Sequence, residues 1–347
     1  MINQFSLNIK YLSINFVGNK ALEEGVFQSK HLVDHIDQFT KESLIKYFIE
    51  PFKMEEFYHF QHSSAINLNE VFSYAARIFE SPKQLLKVAH DLAGFLYEKT
   101  THPNIKSGEF YVCYFENLQL DDKVMDAIGL FKSESKDTFL KVFSDEQDYH
   151  IETHSGISIK KLDKGCLIFN TSKNEGYKVC VIDSTNKSVE AQYWKNDFLN
   201  LKQISDSYNF TRNFLTVTKN FIAEQLDDEF EIDKTAKIAL LNRSVDYFKE
   251  NETFQVKDFE KNVFEDADMI ESFRKFGSAY LDNNNIAIAD SFEISDQAVK
   301  KQVRIFKSVL KLDKNFHIYI HGPNELIERG VEKDGRKYYK IYFNNEA

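Results

Sequence analysis

The residues best placed for chemistry stand in DAIGLFKSESKDTFLKV at 126–142, where Glu134 and Lys136 form an E-x-K pair. Metal-dependent nucleases use such a pair: carboxylates on adjacent strands share a metal ion while the lysine orients a water. That chemistry needs the pair on a strand, with a second acid beside it. Here two apolar runs, 127–131 and 138–142, flank the polar stretch KSESKD. Runs bounded this way read as a β-hairpin with the pair in its loop. The nearest upstream acid, Asp126, lies at the far end of the first strand. The expectation is a solvated turn, with a metal-dependent nuclease as the alternative.

The histidines offer less. His31/His35, His150/His154 and His317/His321 are spaced by four, and His59/His62 by three. A helix lets an i,i+4 pair grip one metal, but a strand spreads the same spacing over roughly 13 Å. No pair carries the H-E-x-x-H glutamate, so these read as surface or packing histidines, and no metal site is expected. The chain has no nucleophile elbow, phosphate-binding P-loop or dinucleotide glycine fingerprint. No catalytic residue and no cofactor is expected.

The cations are more informative. In SDQAVKKQVRIFKSVLKL at 295–312, Val299, Val303, Phe306 and Leu310 recur at helical spacing. Lys300, Arg304, Lys307 and Lys311 repeat that pattern one residue later, with Lys301 beside them, so a helix would carry a basic stripe about 100° from its apolar one. Such a stripe is either a solvated face or a row of phosphate contacts that release counterions from DNA. The following strands alternate: Phe316, Ile318 and Ile320 oppose His317, Tyr319 and His321, and Tyr339, Ile341 and Phe343 oppose Tyr338, Lys340 and Tyr342. A face mixing rings with cations can stack bases and track phosphates. The turn between the last strands adds Lys333, Arg336 and Lys337 around Asp334-Gly335, a strong hairpin signal.

These residues must be positioned by a chain of 347 residues, 42% apolar and 28% charged, which is a soluble globular composition. Thirty-two phenylalanines and 17 tyrosines predict aromatic-rich cores. Cys113, Cys166 and Cys180 sit within apolar strand-like runs and read as buried thiols of a reducing cytoplasm. The N-terminus lacks a signal-peptide pattern, and no apolar run approaches the ~20 residues of a membrane span.

Three regions follow from periodicity. Residues 1–105 read as helical, with helices at 68–79 and 82–97; Leu85, Val88, Leu92 and Leu96 form one stripe, and Asn67 or Asn69 is the cap. Residues 106–206 read as an antiparallel β-rich domain. Its strand at 109–115 is apolar on both faces, and a short NTSKNEG turn joins strands at 165–169 and 177–182. Residues 207–347 read as helices at 210–226, 234–248, 256–264, 267–280 and 295–312, ending in a three-stranded meander. The class is α+β. A helix followed by a basic hairpin also invites a winged-helix comparison, by analogy of fold alone.

The net charge is −10, yet residues 300–340 hold eleven Lys/Arg against five Asp/Glu and stand at +6, leaving −16 for the rest. That asymmetry suggests an anionic partner at one patch, or an acidic body that docks a basic partner.

The stretch at 126–142, GISIKKLDKGCLIFNTSKNEGYKVCVIDSTNKSVEAQYWKNDFL at 156–199, VLKLDKNFHIYIHGPNELIERG at 309–330 and the closing YYKIYF resemble the bacterial nucleoid-associated protein family, the NdpA or YejK group. The resemblance covers most of the chain beyond residue 108. It implies a cytoplasmic, nucleoid-located protein that binds DNA or DNA-bound proteins, with type II topoisomerases as possible partners and no shared active site. The expectation is non-catalytic, largely sequence-independent binding of duplex DNA in chromosome organisation, through Lys300, Lys301, Arg304, Lys307, Lys311, Lys333, Arg336, Lys337 and Lys340. The alternative is an adaptor acting on DNA enzymes through the acidic body. A homodimer is plausible because soluble dimers are common.

Overall fold

The computed structural model describes residues 7–120, 123–145, 148–184, 193–230, 232–284, 286, 288–303, 309–312, 316–319, 326–343 and 345. The chain divides into two units, Met1–Ile204 and Ser205–Ala347.

The first unit is built on an eight-stranded antiparallel sheet. In chain order its elements are β1 (Asn8–Val17), β2 (Val26–Gln28), α1 (Gln38–Ile49), β3 (Tyr58–Phe60), α2 (Glu70–Glu80), α3 (Leu85–Lys99), β4 (Gly108–Leu120), β5 (Lys123–Ser133), β6 (Asp137–Ser144), β7 (Tyr149–Gly156), β8 (Lys164–Phe169), β9 (Lys178–Asp183) and β10 (Leu201–Gln203). The sheet order is β10-β3-β9-β8-β5-β4-β1-β2. The N-terminal region therefore has its expected helices and also three strands, of which β1 pairs along most of β4.

Apolar character on both faces of the central strands follows from a core on each side. Phe110, Val112 and Tyr114 of β4 join Cys166 and Ile168 of β8 beneath α2 and α3. The alternate residues Tyr111, Cys113 and Phe115 join Leu167 and Phe169 against Phe48 and Ile49 of α1. All three cysteines are buried and free. The predicted α3 stripe is buried throughout, with Leu85, Val88, Leu92 and Leu96 at most 1% exposed. Asn69 is the cap of α2, accepting the Phe72 N–H.

NTSKNEG makes the expected β8–β9 hairpin. Gly176 closes it at φ +108°, where a Cβ would stand 2.4 Å from the Phe60 carbonyl oxygen. The proposed hairpin at 126–142 is not formed. Both edges of β5 are occupied, by β4 and by β8. Strand β6 therefore leaves the sheet and pairs with β7 in a separate two-stranded ribbon.

The second unit is helical, with three two-stranded ribbons among the described residues. Its elements are α4 (Ser207–Asn220), α5 (Leu226–Glu229), α6 (Lys234–Glu250), β11 (Thr253–Gln255), α7 (Val256–Val263), α8 (Ala267–Asn283), β12 (Ser291–Glu293), α9 (Asp296–Val303), β13 (Val309–Leu312), β14 (Phe316–Tyr319), β15 (Ile327–Val331) and β16 (Lys337–Ile341). The ribbons are β11–β12, β13–β14 and β15–β16. Asp206, Asp233 and Asp266 cap α4, α6 and α8 by accepting backbone N–H groups three residues on. The core is aromatic, as the composition implied. Phe214 and Phe254 have ring centroids 4.3 Å apart, and Phe254 stacks on Phe292 at 4.6 Å.

The helix expected over 295–312 is shorter. Helix α9 is described over Asp296–Val303, residues 304–308 lie outside the described residues, and Val309–Leu312 is a strand paired with β14. Lys311 is thus opposite His317 on a ribbon, not on the helix with Lys300. Ile238 of α6 packs with Leu312, Ile318, Ile327 and Tyr339, so one small apolar cluster anchors both C-terminal ribbons. The chain is α+β, and among the described residues no helix is long and apolar enough to cross a membrane.

Candidate nucleic-acid interface

The E-x-K pair does not stand in a solvated turn. The Glu134 side chain is 3% exposed and lies between two equally buried cations, 3.0 Å from Lys132 Nζ and 3.8 Å from Lys164 Nζ. Its Oε1 also accepts the Tyr193 hydroxyl at 3.0 Å. Lys132 further donates to the Lys106 carbonyl, and Lys164 is held by Asp183 at 2.9 Å. Asp163, buried before β8, accepts the N–H groups of Glu134 and Ser135 at 2.7 and 2.8 Å. Burial pushes the Lys132 ammonium below its ordinary value, against the pull of the Glu134 carboxylate. The charged ends of this cluster meet one another or a backbone partner, which is how a sheet end accommodates buried charge. Lys136 points elsewhere and pairs with Glu109 at 2.6 Å. A legible signal was present: Lys132 and Lys164 each interrupt or open an apolar run at a position the strand pattern buries.

Among the described residues none of the paired histidines stands on a helix, the element on which an i,i+4 pair converges. His150 and His154 lie on β7, stacked on Phe143 and Phe139 and paired with Asp145 and Glu152. His59 Nδ1 is 2.6 Å from the Tyr177 carbonyl oxygen. His31 and His35 are exposed outside any helix, and His321 lies outside the described residues. Among the described residues no group of three or more His, Cys, Asp or Glu could hold a metal.

The C-terminal cations fall into three sets. Lys300 is exposed on α9. Lys301, one residue on, donates to the Tyr208 hydroxyl at 3.1 Å and lies 5.8 Å from that ring, tying α9 to α4. Arg304 and Lys307 lie outside the described residues, so the row expected along one helix reduces there to Lys300 and Lys301. The third set surrounds the β15–β16 ribbon. Its turn is closed by Gly335 at φ +88° and by the Glu332 N–H donating to the Arg336 carbonyl. Lys333 and Lys337 are exposed; Arg336 is paired with Asp334 at 2.7 Å. Lys340 donates to the Tyr342 hydroxyl at 2.6 Å and faces Glu328 at 3.8 Å; hydrogen bonding to Tyr342 holds its ammonium above the ordinary value.

Rings stand exposed among these cations: Phe316, Tyr319, Tyr338, Tyr342 and Phe343 are between 39% and 70% accessible. A packed domain normally hides such surface, and rings beside cations are the pairing that nucleic acid offers ligands for. A comparison with curated proteins finds no match. A family model described as nucleoid-associated protein YejK matches residues 18–336. The chain therefore belongs to the nucleoid-associated protein YejK family.

Proposed function

We propose that this nucleoid-associated protein binds duplex DNA without catalysis and largely without sequence specificity, through its C-terminal ribbons and the end of α9. The observation that supports the reading most is the β15–β16 ribbon, which exposes Lys333, Lys337 and Lys340 beside Tyr338 and Tyr342. Lysines scattered on a ribbon suit phosphates rather than base edges, because point charges position a duplex without reading it. Lys300, Lys301, Arg304, Lys307, Lys311 and Arg336 complete the proposed set. Chromosome organisation is the role this binding would serve.

The test is duplex binding by fluorescence anisotropy across salt concentrations. We expect a negative log–log slope of about 0.9 per phosphate contacted, and loss of binding in the quadruple variant Lys333→Glu, Arg336→Glu, Lys337→Glu, Lys340→Glu. A flat salt response, or an unaffected quadruple variant, would overturn the reading. A second reading rests on the acidic helices. Residues 205–299 hold twenty Asp/Glu against ten Lys/Arg, a surface suited to a basic protein partner. A type II topoisomerase is the partner class the family resemblance suggests. Its retention after nuclease treatment would favour that reading.

A further inference from the structure

A cavity of about 450 Å³ opens in the second unit, lined by Lys234, Leu312, Phe316, Arg329, Lys337, Tyr338 and Tyr339. Five elements meet there: the first turn of α6 and strands β13, β14, β15 and β16. Three cations and three rings face one space. Among the described residues none of the three cations is in an ion pair, whereas Arg336 and Lys340 on the same ribbon are. Among the described residues, Asp233 is an acid coupled to the cavity through Arg329. Burial raises its carboxyl, but the Ala236 N–H, Thr235 and the field of Arg329 outweigh this and leave it low. That carboxylate is spent on capping α6, accepting the Ala236 N–H at 2.7 Å and the Thr235 hydroxyl at 2.7 Å. Asp233 answers Arg329 only in part, and among the described residues no carboxylate forms an ion pair with Lys234, Arg329 or Lys337.

We propose that this cavity takes one unpaired nucleotide of a nucleic-acid strand, the phosphate against Lys234, Arg329 and Lys337 and the base on Phe316 or Tyr338. This rests on the DNA-binding reading above and adds a preference to it. The shared chemistry is a nucleoside phosphate, an anion joined to a flat ring. The volume suits one such unit, since ligand pockets of about 300–1,000 Å³ hold small molecules. A duplex cannot use the rings, because its bases are stacked and paired inside. An unpaired strand presents base faces, and stacking on an aromatic side chain is indifferent to which base is offered. The cations on the outer ribbon would hold duplex and single strand alike; the cavity alone would tell them apart.

The experiment uses the full chain and three probes: a short labelled single strand, the duplex of the same sequence, and deoxyadenosine monophosphate read by tyrosine fluorescence. Variants are Phe316→Leu, Arg329→Gln and Lys337→Gln, with Lys337→Arg as the conservative control and circular dichroism as the check on folding. We expect the strand to bind more tightly than the duplex. Each variant should lose about tenfold on the strand and under about threefold on the duplex, and Lys337→Arg should restore much of the strand binding. Equal affinity for strand and duplex, or equal losses on both, would overturn the cavity assignment while leaving DNA binding intact. Binding of the mononucleotide without either DNA probe would assign the site to free nucleotides and overturn both readings. Failure of all three probes would likewise overturn both.

Discussion

Glu134 and Lys136 are two residues apart and belong to different environments, and substitution should separate them cleanly. Glu134→Gln leaves Lys132 and Lys164 buried with less compensation, at a cost of about 3–5 kcal/mol in urea unfolding. Lys136→Ala removes a half-exposed pair with Glu109 and should change stability by at most about 1 kcal/mol. Equal effects would mean that the buried cluster is not what holds the end of the sheet. The cysteines give a second residue-scale expectation. Burial raises all three thiols, Cys180 from 9.0 to about 12. A thiol reagent at pH 8 should label none of them in the folded protein and all three in urea. The folded value lies above the unfolded one. The contribution to stability is therefore complete below pH 9 and is lost as pH rises toward 12, so the Tm should fall over that window.

Elements with strong local periodicity were legible, and those decided by competition for a partner were not. The α3 stripe and the β8–β9 turn depend on residues close in sequence, and both are found as read. Whether β5 pairs with β6 depends on β8, which begins 20 residues beyond the end of β6, so the apolar runs at 127–131 and 138–142 looked like a hairpin. Strand β1 hid because Ser13 and Asn15 are polar and nevertheless buried. The solvated appearance of KSESKD misled for the same reason: Asp163 and Lys164, which bury Glu134, come from a distant segment. In the C-terminal region the cations were legible by type, while the strand at 309–312 was not, because it carries helical spacing and yet pairs with β14. The β6–β7 ribbon supplies a test at this scale. Its Leu140, Val142, Tyr149 and Ile151 share one face and are exposed, and none of them joins either core of the unit. Replacing residues 138–155 by a short Gly-Ser linker should therefore shift the Tm by no more than about 2–4 °C, as for about 1 kcal/mol in a domain of this size. A larger fall would show that the ribbon supports the sheet.

Across the whole molecule, charge is sorted along the chain rather than balanced. Residues 205–299 carry twenty acids and ten cations, and residues 300–340 carry five acids and eleven cations. A net charge of −10 would repel DNA at long range, but repulsion is screened beyond about 8 Å at physiological salt while phosphate contacts are not. Under the proposed function, an acidic body would restrict where DNA settles more than whether it binds. Neutralising exposed acids of the helical region with Glu250→Gln, Glu252→Gln and Asp258→Asn provides the check. At about 10 mM salt, where the screening length is about 30 Å, the triple variant should bind duplex several-fold more tightly than the wild-type chain. At about 150 mM salt the difference should shrink to less than about twofold, and the log–log slope should stay within about one unit of the wild-type slope, because no phosphate contact has been added. A triple variant that binds more weakly would place those acids inside the interface, and the ribbon would no longer suffice to explain it.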